Sequence, residues 1–240
     1  MSSDGKIDSQ DEIEKLKKEH HEFAYAISHD VGAPIRHVKE FTRLLLAERP
    51  PETETEEKYT GFIEQALERL GLMQEALLTY TRIDTDGGSK EKCDIKGVVA
   101  DAVKLLETLR EEKGVKLSVD MEEAEVPLHR KHVTKMLTYL IENAIKFHEI
   151  GSSHRHVAIT GRQIDHLYII KISDNGIGMS EKGQELALRL FRTLNDPVLY
   201  GGVGAGLSLA RKIAGKYGID LSIESAEGKG TDITLKMPLN

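Results

Sequence analysis

From Ile13 onward the chain carries an apolar stripe too long for the helix of a compact single domain. Ile13, Leu16, His20, Phe23 and Ile27 fall at spacings of 3, 4, 3 and 4, the seam of a coiled coil. Val31, Pro34 with Ile35, Val38, Phe41 and Leu45 continue it. The two successive steps of four from Phe23 through Ile27 to Val31 interrupt the heptad with a stutter. Plain helix core accounts for the stripe; its length adds that one helix should run from about Asp11 to Glu48. Arg49-Pro50-Pro51 ends it, because proline cannot continue the hydrogen-bond ladder. A second helix follows, with Ile63, Leu67, Leu70, Met73, Leu77 and Tyr80 three and four apart. Two long amphipathic helices joined by a short turn cannot cover their own stripes. A homodimer forming a four-helix bundle is the simple solution.

Asp84-Thr85-Asp86-Gly87-Gly88-Ser89 reads as a linker, and beyond it the texture becomes mixed. Helices are expected over 94–113, 131–147 and 207–217, and strands over 115–120, 156–160, 167–173, 220–225 and 231–237. They do not alternate regularly, so an α+β sandwich is a better expectation than a doubly wound sheet. The chain therefore divides into a disordered start (1–10), a helical domain with a coiled-coil lead-in (11–86), a linker (87–91) and a second domain (92–240). At 39% hydrophobic and 30% charged it can bury a core. A net charge of -7 argues against a nucleic-acid partner. The single cysteine, Cys93, excludes an intrachain disulfide and fits a reducing compartment. No apolar run approaches the roughly 20 residues of a membrane helix. A cytoplasmic chain, or a cytoplasmic piece of something larger, is expected.

Two glycine-rich segments carry the chemistry. Ser173-Asp174-Asn175-Gly176-Ile177-Gly178-Met179 leaves a strand, and Tyr200-Gly201-Gly202-Val203-Gly204-Ala205-Gly206-Leu207 runs into a helix. Glycines at alternate positions let backbone N–H groups approach an anion, and a following helix N-terminus adds its positive end. Neither segment fits the dinucleotide fingerprint, and no Gly-Lys-Ser/Thr is present. Each alone reads as an ordinary turn. Upstream, Asn143 and Lys146 stand three apart on one helix face, an oxygen ligand for a hard cation beside a phosphate contact.

In this order and spacing the segments resemble the ATP-binding domain of sensor histidine kinases, in the gyrase–chaperone–kinase (Bergerat-fold) superfamily. The resemblance covers about Lys92 to Leu239. It implies a two-layer α/β sandwich that binds ATP with Mg²⁺, the metal on Asn143 and a phosphate on Lys146. Asp174 would accept a hydrogen bond from the adenine amino group, with Gly176 and Gly178 in the same box. Gly202, Gly204, Gly206 and Leu207 would line the phosphates. Leu190-Phe191-Arg192 would precede a nucleotide lid, and Thr231, in Glu227-Gly228-Lys229-Gly230-Thr231, would lie near the adenine.

With that family in view, Phe23 to Arg36 resembles its phosphoacceptor box. His29 lies two residues from Ile27, about 200° around the helix from the seam, and so faces outward. A neutral imidazole is a competent nucleophile, and Asp30 would orient it or take its proton. A Ser-His-Asp hydrolase triad does not fit, because adjacent residues on a helix point apart. Pro34, Gly32 and the stutter make this stretch mechanically soft. Bending there could govern access of the ATP domain to His29.

The resemblance implies autophosphorylation of His29 from Mg-ATP, then transfer to an aspartate of a response-regulator receiver domain. The wording His-Asp-x-x-x-Pro-Ile-Arg is closest to the phytochrome-type branch. Four positions depart from the family pattern. Tyr139 replaces a first asparagine, Val203 a Ser or Thr, Gly32 an arginine, and Ala33 the Thr or Asn that positions water for dephosphorylating the partner. Weak phosphatase activity is therefore expected. The first two departures keep a rival open: a degenerate kinase acting as a dimeric scaffold or phosphotransfer protein without ATP turnover. The two domains leave nothing for sensing, so the input is expected from an N-terminal sensory domain or a separate sensor.

Overall fold

The computed structural model describes residue 26, residues 30–86 and residues 91–239. The expected disordered start, most of the coiled seam, most of the linker and His29 lie outside the described residues. The chain divides into two compact units, the first ending at Thr85 and the second beginning at Asp86.

In the first unit, helix α1 (30–48) continues through Pro34 and closes on Arg49 N–H to Leu45 O at 2.8 Å. Helix α2 (Glu54–Thr85) starts from a capping box. Thr53 Oγ1 accepts from Glu56 N–H at 3.2 Å, and the Glu56 carboxylate accepts from the N–H groups of Glu52 and Thr53 at 2.9 and 3.2 Å. The helices run antiparallel: Gly32 of α1 is buried, and a side chain there would collide with the amide of Gln74, late in α2. Phe41, Leu45, Phe62 and Ile63 remain 69%, 62%, 56% and 47% exposed, an uncovered apolar surface on both helices.

The second unit is a five-stranded sheet under a layer of helices. Its strands are β2 (Lys116–Met121), β4 (His156–Ile164), β5 (Leu167–Asp174), β6 (Asp220–Ala226) and β7 (Gly230–Pro238). Their order is β2-β4-β5-β7-β6, with β2 and β4 parallel and every other neighbour antiparallel. A separate antiparallel pair joins β1 (Glu91–Asp94) to β3 (Glu125–Leu128). The helix layer is built on α3 (Ile95–Leu105), α5 (Arg130–Lys146) and α8 (Gly206–Tyr217), with α5 packed between the other two. Val133, Met136, Leu137, Leu140 and Ile141 of α5 are fully buried, as are Tyr168, Ile170, Ile172 and Leu235 of the sheet. This layering is the expected α+β sandwich, and it follows from strands that alternate inward and outward residues beneath amphipathic helices.

The structure departs from expectation in three ways. The helix over 94–113 breaks at Leu106, whose φ of -106° and ψ of 7° separate α3 from α4 (Glu107–Glu112). Strand β4 runs on to Ile164, through Gly161. The β1–β3 pair and the short helices α6 (Glu181–Ala187) and α7 (Pro197–Tyr200) lack the periodicity that would have announced them. One buried polar contact ties α5 to α8: His132 Nδ1 lies 2.7 Å from the Tyr217 hydroxyl. It fixes the two helices whose other ends build the candidate site.

Candidate functional site

Asp174 ends β5 directly opposite Thr231 of β7. Its Oδ1 accepts from the Gly176 N–H at 2.8 Å and the Thr231 N–H at 3.2 Å. Among the described residues Oδ2 receives no hydrogen bond. Burial pushes the carboxyl up from 3.8 to about 6. The Gly176 N–H, the electrostatic influence of His148 and the Thr231 N–H oppose that rise, while Asp232 adds to it. The result is a half-buried carboxylate with one oxygen locked by the backbone and the other open to a donor.

The loop after Asp174 is stitched to its neighbours. Ile177 N–H donates to Phe147 O at 2.9 Å, just past α5, and a Cβ on Gly176 would collide with that same carbonyl. Gly178, at φ +65°, lies against the Ala226 carbonyl with no room for a side chain. Ser225 Oγ gathers the opposite side: it accepts from Met179 N–H at 2.9 Å and contacts Gly230 O and Thr231 Oγ1 at 2.8 and 2.9 Å. Thr231 is thus held beside Asp174 through both backbone and hydroxyl.

On α5, Asn143 and Lys146 are both half-buried, and Lys146 is ion-paired with Glu142. Gly206, at the start of α8, faces this helix: a Cβ there would lie 3.6 Å from Tyr139 and 3.8 Å from the Asn143 amide nitrogen. Asn143 and the second glycine-rich segment therefore meet. Gly204 packs on the Arg192 carbonyl, and Phe191 N–H donates to Gly204 O at 2.9 Å, joining the segment to 190–192. Gly202 stands in open space, and Leu207 and Val203 are buried. Helix α8 has Ala205 at its N-cap and no side-chain cap, which leaves its first N–H groups directed at whatever occupies the loop. Asp30 is helical and exposed in the other unit.

A divalent cation fits this donor set in one way. No group of three or more His, Cys, Asp or Glu among the described residues could hold a metal. A protein-only cage is therefore absent there, and the Asn143 amide oxygen offers a single ligand. Mg²⁺ commonly keeps waters and phosphate oxygens around one or two protein ligands, so a single such oxygen would be compatible with it.

Residues 129–240 match the family model described as histidine kinase-, DNA gyrase B-, and HSP90-like ATPase. Similarity extends over nearly the whole chain to the phytochrome-like protein Cph1 of Synechocystis sp., 28% identical over 230 residues, 95% of this chain and 30% of that protein. The sensor histidine kinase YclK of Bacillus subtilis is 28% identical over 238 residues, 96% of this chain and 49% of its own length. Residues 129–240 carry the ATPase domain of that family, and the chain as a whole resembles the catalytic core of sensor histidine kinases. It spans about a quarter to a half of the length of the curated relatives it matches. Among solved structures, the histidine kinase ThkA in complex with the response regulator protein TrrA superposes with a TM-score of 0.65 at 18% identity, over 96% of this chain and 66% of that one. Full-length ShkA in complex with AMPPNP gives 0.66 at 18% identity, over 90% of this chain and 45% of that one. These two establish the fold of the histidine kinase core. No described helix is long and apolar enough to cross a membrane.

Sequence reasoning missed Ser225, Asn175 and His148. Their roles depend on partners far along the chain. Only His148 carried a hint, as it follows the Asn143–Phe147 motif directly.

Proposed function

We propose that the chain is the working core of a two-component kinase, transferring the γ-phosphoryl of ATP to His29 and from there to an aspartate of a receiver domain. The observation that carries this reading is the Asp174 carboxylate, locked through Oδ1 by two backbone N–H groups with Oδ2 open to an exocyclic amino group. Asn143 would hold Mg²⁺, whose contribution is to neutralise and bridge the phosphates. Lys146 would exchange part of its pairing with Glu142 for a phosphate, and the N–H groups around Gly204 and Gly206 would position the chain of phosphates. In the transfer an imidazole nitrogen of His29 bonds to the γ-phosphorus, the bond from that phosphorus to the β–γ bridging oxygen breaks, and ADP leaves. The imidazole proton passes toward Asp30.

The exposed Phe41, Leu45, Phe62 and Ile63 support a homodimer in which a second copy covers the hairpin as a four-helix bundle. Input would arrive from the N-terminal side, from a sensory domain or a separate sensor, in the cytoplasm. Buried Val203 and the aromatic Tyr139 favour the rival reading, a scaffold or phosphotransfer protein that binds nucleotide without turning it over.

Incubation with γ-labelled Mg-ATP separates the two. Acid-labile, base-stable label is expected on the wild type and absent from His29→Gln. Label on both proteins, or on neither despite ATP binding, would remove the kinase reading. Ala33, in place of a water-positioning Thr or Asn, leads to a second expectation. Dephosphorylation of a phosphorylated receiver should proceed at close to its spontaneous rate when the chain and ADP are added. A clear acceleration that depends on the chain would contradict it.

A further inference from the structure

His148 follows α5 and is 4% exposed. Its Nδ1 lies 3.2 Å from the Ile145 carbonyl oxygen, at the negative end of that helix, and its Nε2 lies 3.2 Å from Asn175 Oδ1. The orientation of the Asn175 amide is fixed from its other sides. Oδ1 accepts from the His156 N–H at 2.8 Å, and Nδ2 donates to His154 O at 2.6 Å. A flipped amide would set its NH₂ against the His156 N–H and its oxygen against a carbonyl. Both ring nitrogens of His148 therefore face oxygen acceptors. Only a ring with two N–H groups, the imidazolium, satisfies both.

We infer that His148 is a charged positioning residue of the nucleotide site: as an imidazolium it holds Asn175, and through it the loop that aims the neighbouring Asp174 carboxylate. The inference rests on the reading of Asp174 as the adenine-binding group. The arrangement is compact. Asp174 and Asn175 are consecutive, so the ring that anchors one places its positive charge near the other, and that charge opposes the burial that protonates Asp174. Other charged and titratable groups surround the pair. Asp232 of β7 is tied to Lys171 at 2.8 Å, and Lys146 to Glu142. Glu149 adjoins the ring in the chain, and His154 and His156 flank the Asn175 amide, His156 Nε2 lying 3.2 Å from Ser118 Oγ. None of these replaces a donor at Nε2 of His148. Loss of the ring should loosen the loop and also favour the protonated, non-binding form of Asp174.

The test uses the intact chain and two independent readouts. Nitrogen-15 NMR of the imidazole reports the number of ring N–H groups without any nucleotide. At pH 7 both nitrogens of His148 are expected as N–H, and a ring with one bare nitrogen would overturn the inference. Calorimetric titration with ATP between pH 5 and 8 reads the second consequence. His148→Gln should bind about tenfold more weakly at pH 7. Its acid-side loss of affinity should begin at higher pH than in the wild type. Unchanged affinity and an unchanged pH profile in His148→Gln would overturn the positioning role. Asp174→Asn, run in parallel, separates the two levels: if it binds ATP like the wild type, the reading of Asp174 fails, and the NMR result still decides the state of His148.

Discussion

Asp174→Asn is expected to abolish ATP binding while making the nucleotide-free chain more stable. The asparagine keeps an Oδ1 that accepts from the Gly176 and Thr231 N–H groups, so the loop geometry survives. What changes is the other atom: an NH₂ donor replaces Oδ2 and meets the donor amino group of adenine. Leaving a buried donor opposed in this way costs at least about a hundredfold in affinity. Stability moves the other way. Burial raises the folded carboxyl from 3.8 to about 6, so the folded state holds its proton more tightly than the unfolded state. Ionising it destabilises the fold by about 1 to 3 kcal/mol once the pH exceeds the folded value. The penalty is absent below about pH 4, where both states are protonated, builds as the pH rises, and is complete above about 6. The asparagine variant escapes it, so its urea midpoint should exceed the wild type's at pH 8 and converge with it near pH 4. A variant less stable at pH 8, or one that still binds ATP, would show that Asp174 is not a carboxylate held at a cost for its ligand. The same pKa makes wild-type affinity fall as the pH drops below about 6.

How much of this was legible in the sequence depended on whether a residue's partner was near in the chain. The apolar stripes behind α2, α5 and α8 and the alternation in β5 and β7 are local signals, and those elements are present. Asp174 stood out because a strand delivers it into a glycine-rich turn. Gly161 had the opposite effect. It suggests a turn, yet β4 passes through it, because a side chain there would collide with Met121 and the Tyr168 hydroxyl. The β1–β3 pair is four residues per strand, carries Pro127 and has mixed burial, so no period marks it. The role of His148, despite its place beside the Asn143–Phe147 motif, was illegible for a deeper reason. Its role requires an amide 27 residues away, itself oriented by two further backbone groups. Sequence spacing reports which residues share a face. It does not report which lone pair meets which proton.

Gly230→Ala should be far more damaging than Gly228→Ala, although the two glycines share one turn and similar backbone angles. Both have positive φ, +84° and +72°, so alanine at either meets the left-handed penalty of about 1 to 2 kcal/mol. At Gly228 that is the whole effect, since nothing lies within 4 Å of an added Cβ. At Gly230 the Cβ would overlap the Asp174 carbonyl oxygen and come within 2.9 Å of the Asn175 Cα. Both obstacles are backbone, so relief requires β5 and β7 to part where Asp174 pairs with Thr231. That pairing delivers the Thr231 N–H to Asp174 Oδ1. Any separation therefore loses the lock on the carboxylate and the site geometry along with stability. Gly228→Ala should fold with a slightly lowered urea midpoint and bind ATP within about twofold of the wild type. Gly230→Ala should lose about 3 kcal/mol or more and, where it remains folded, bind ATP at least tenfold more weakly. Equal and mild effects at the two positions would mean that β7 does not press against the end of β5. The two-point hold on Asp174, and the adenine recognition built on it, would then fall together.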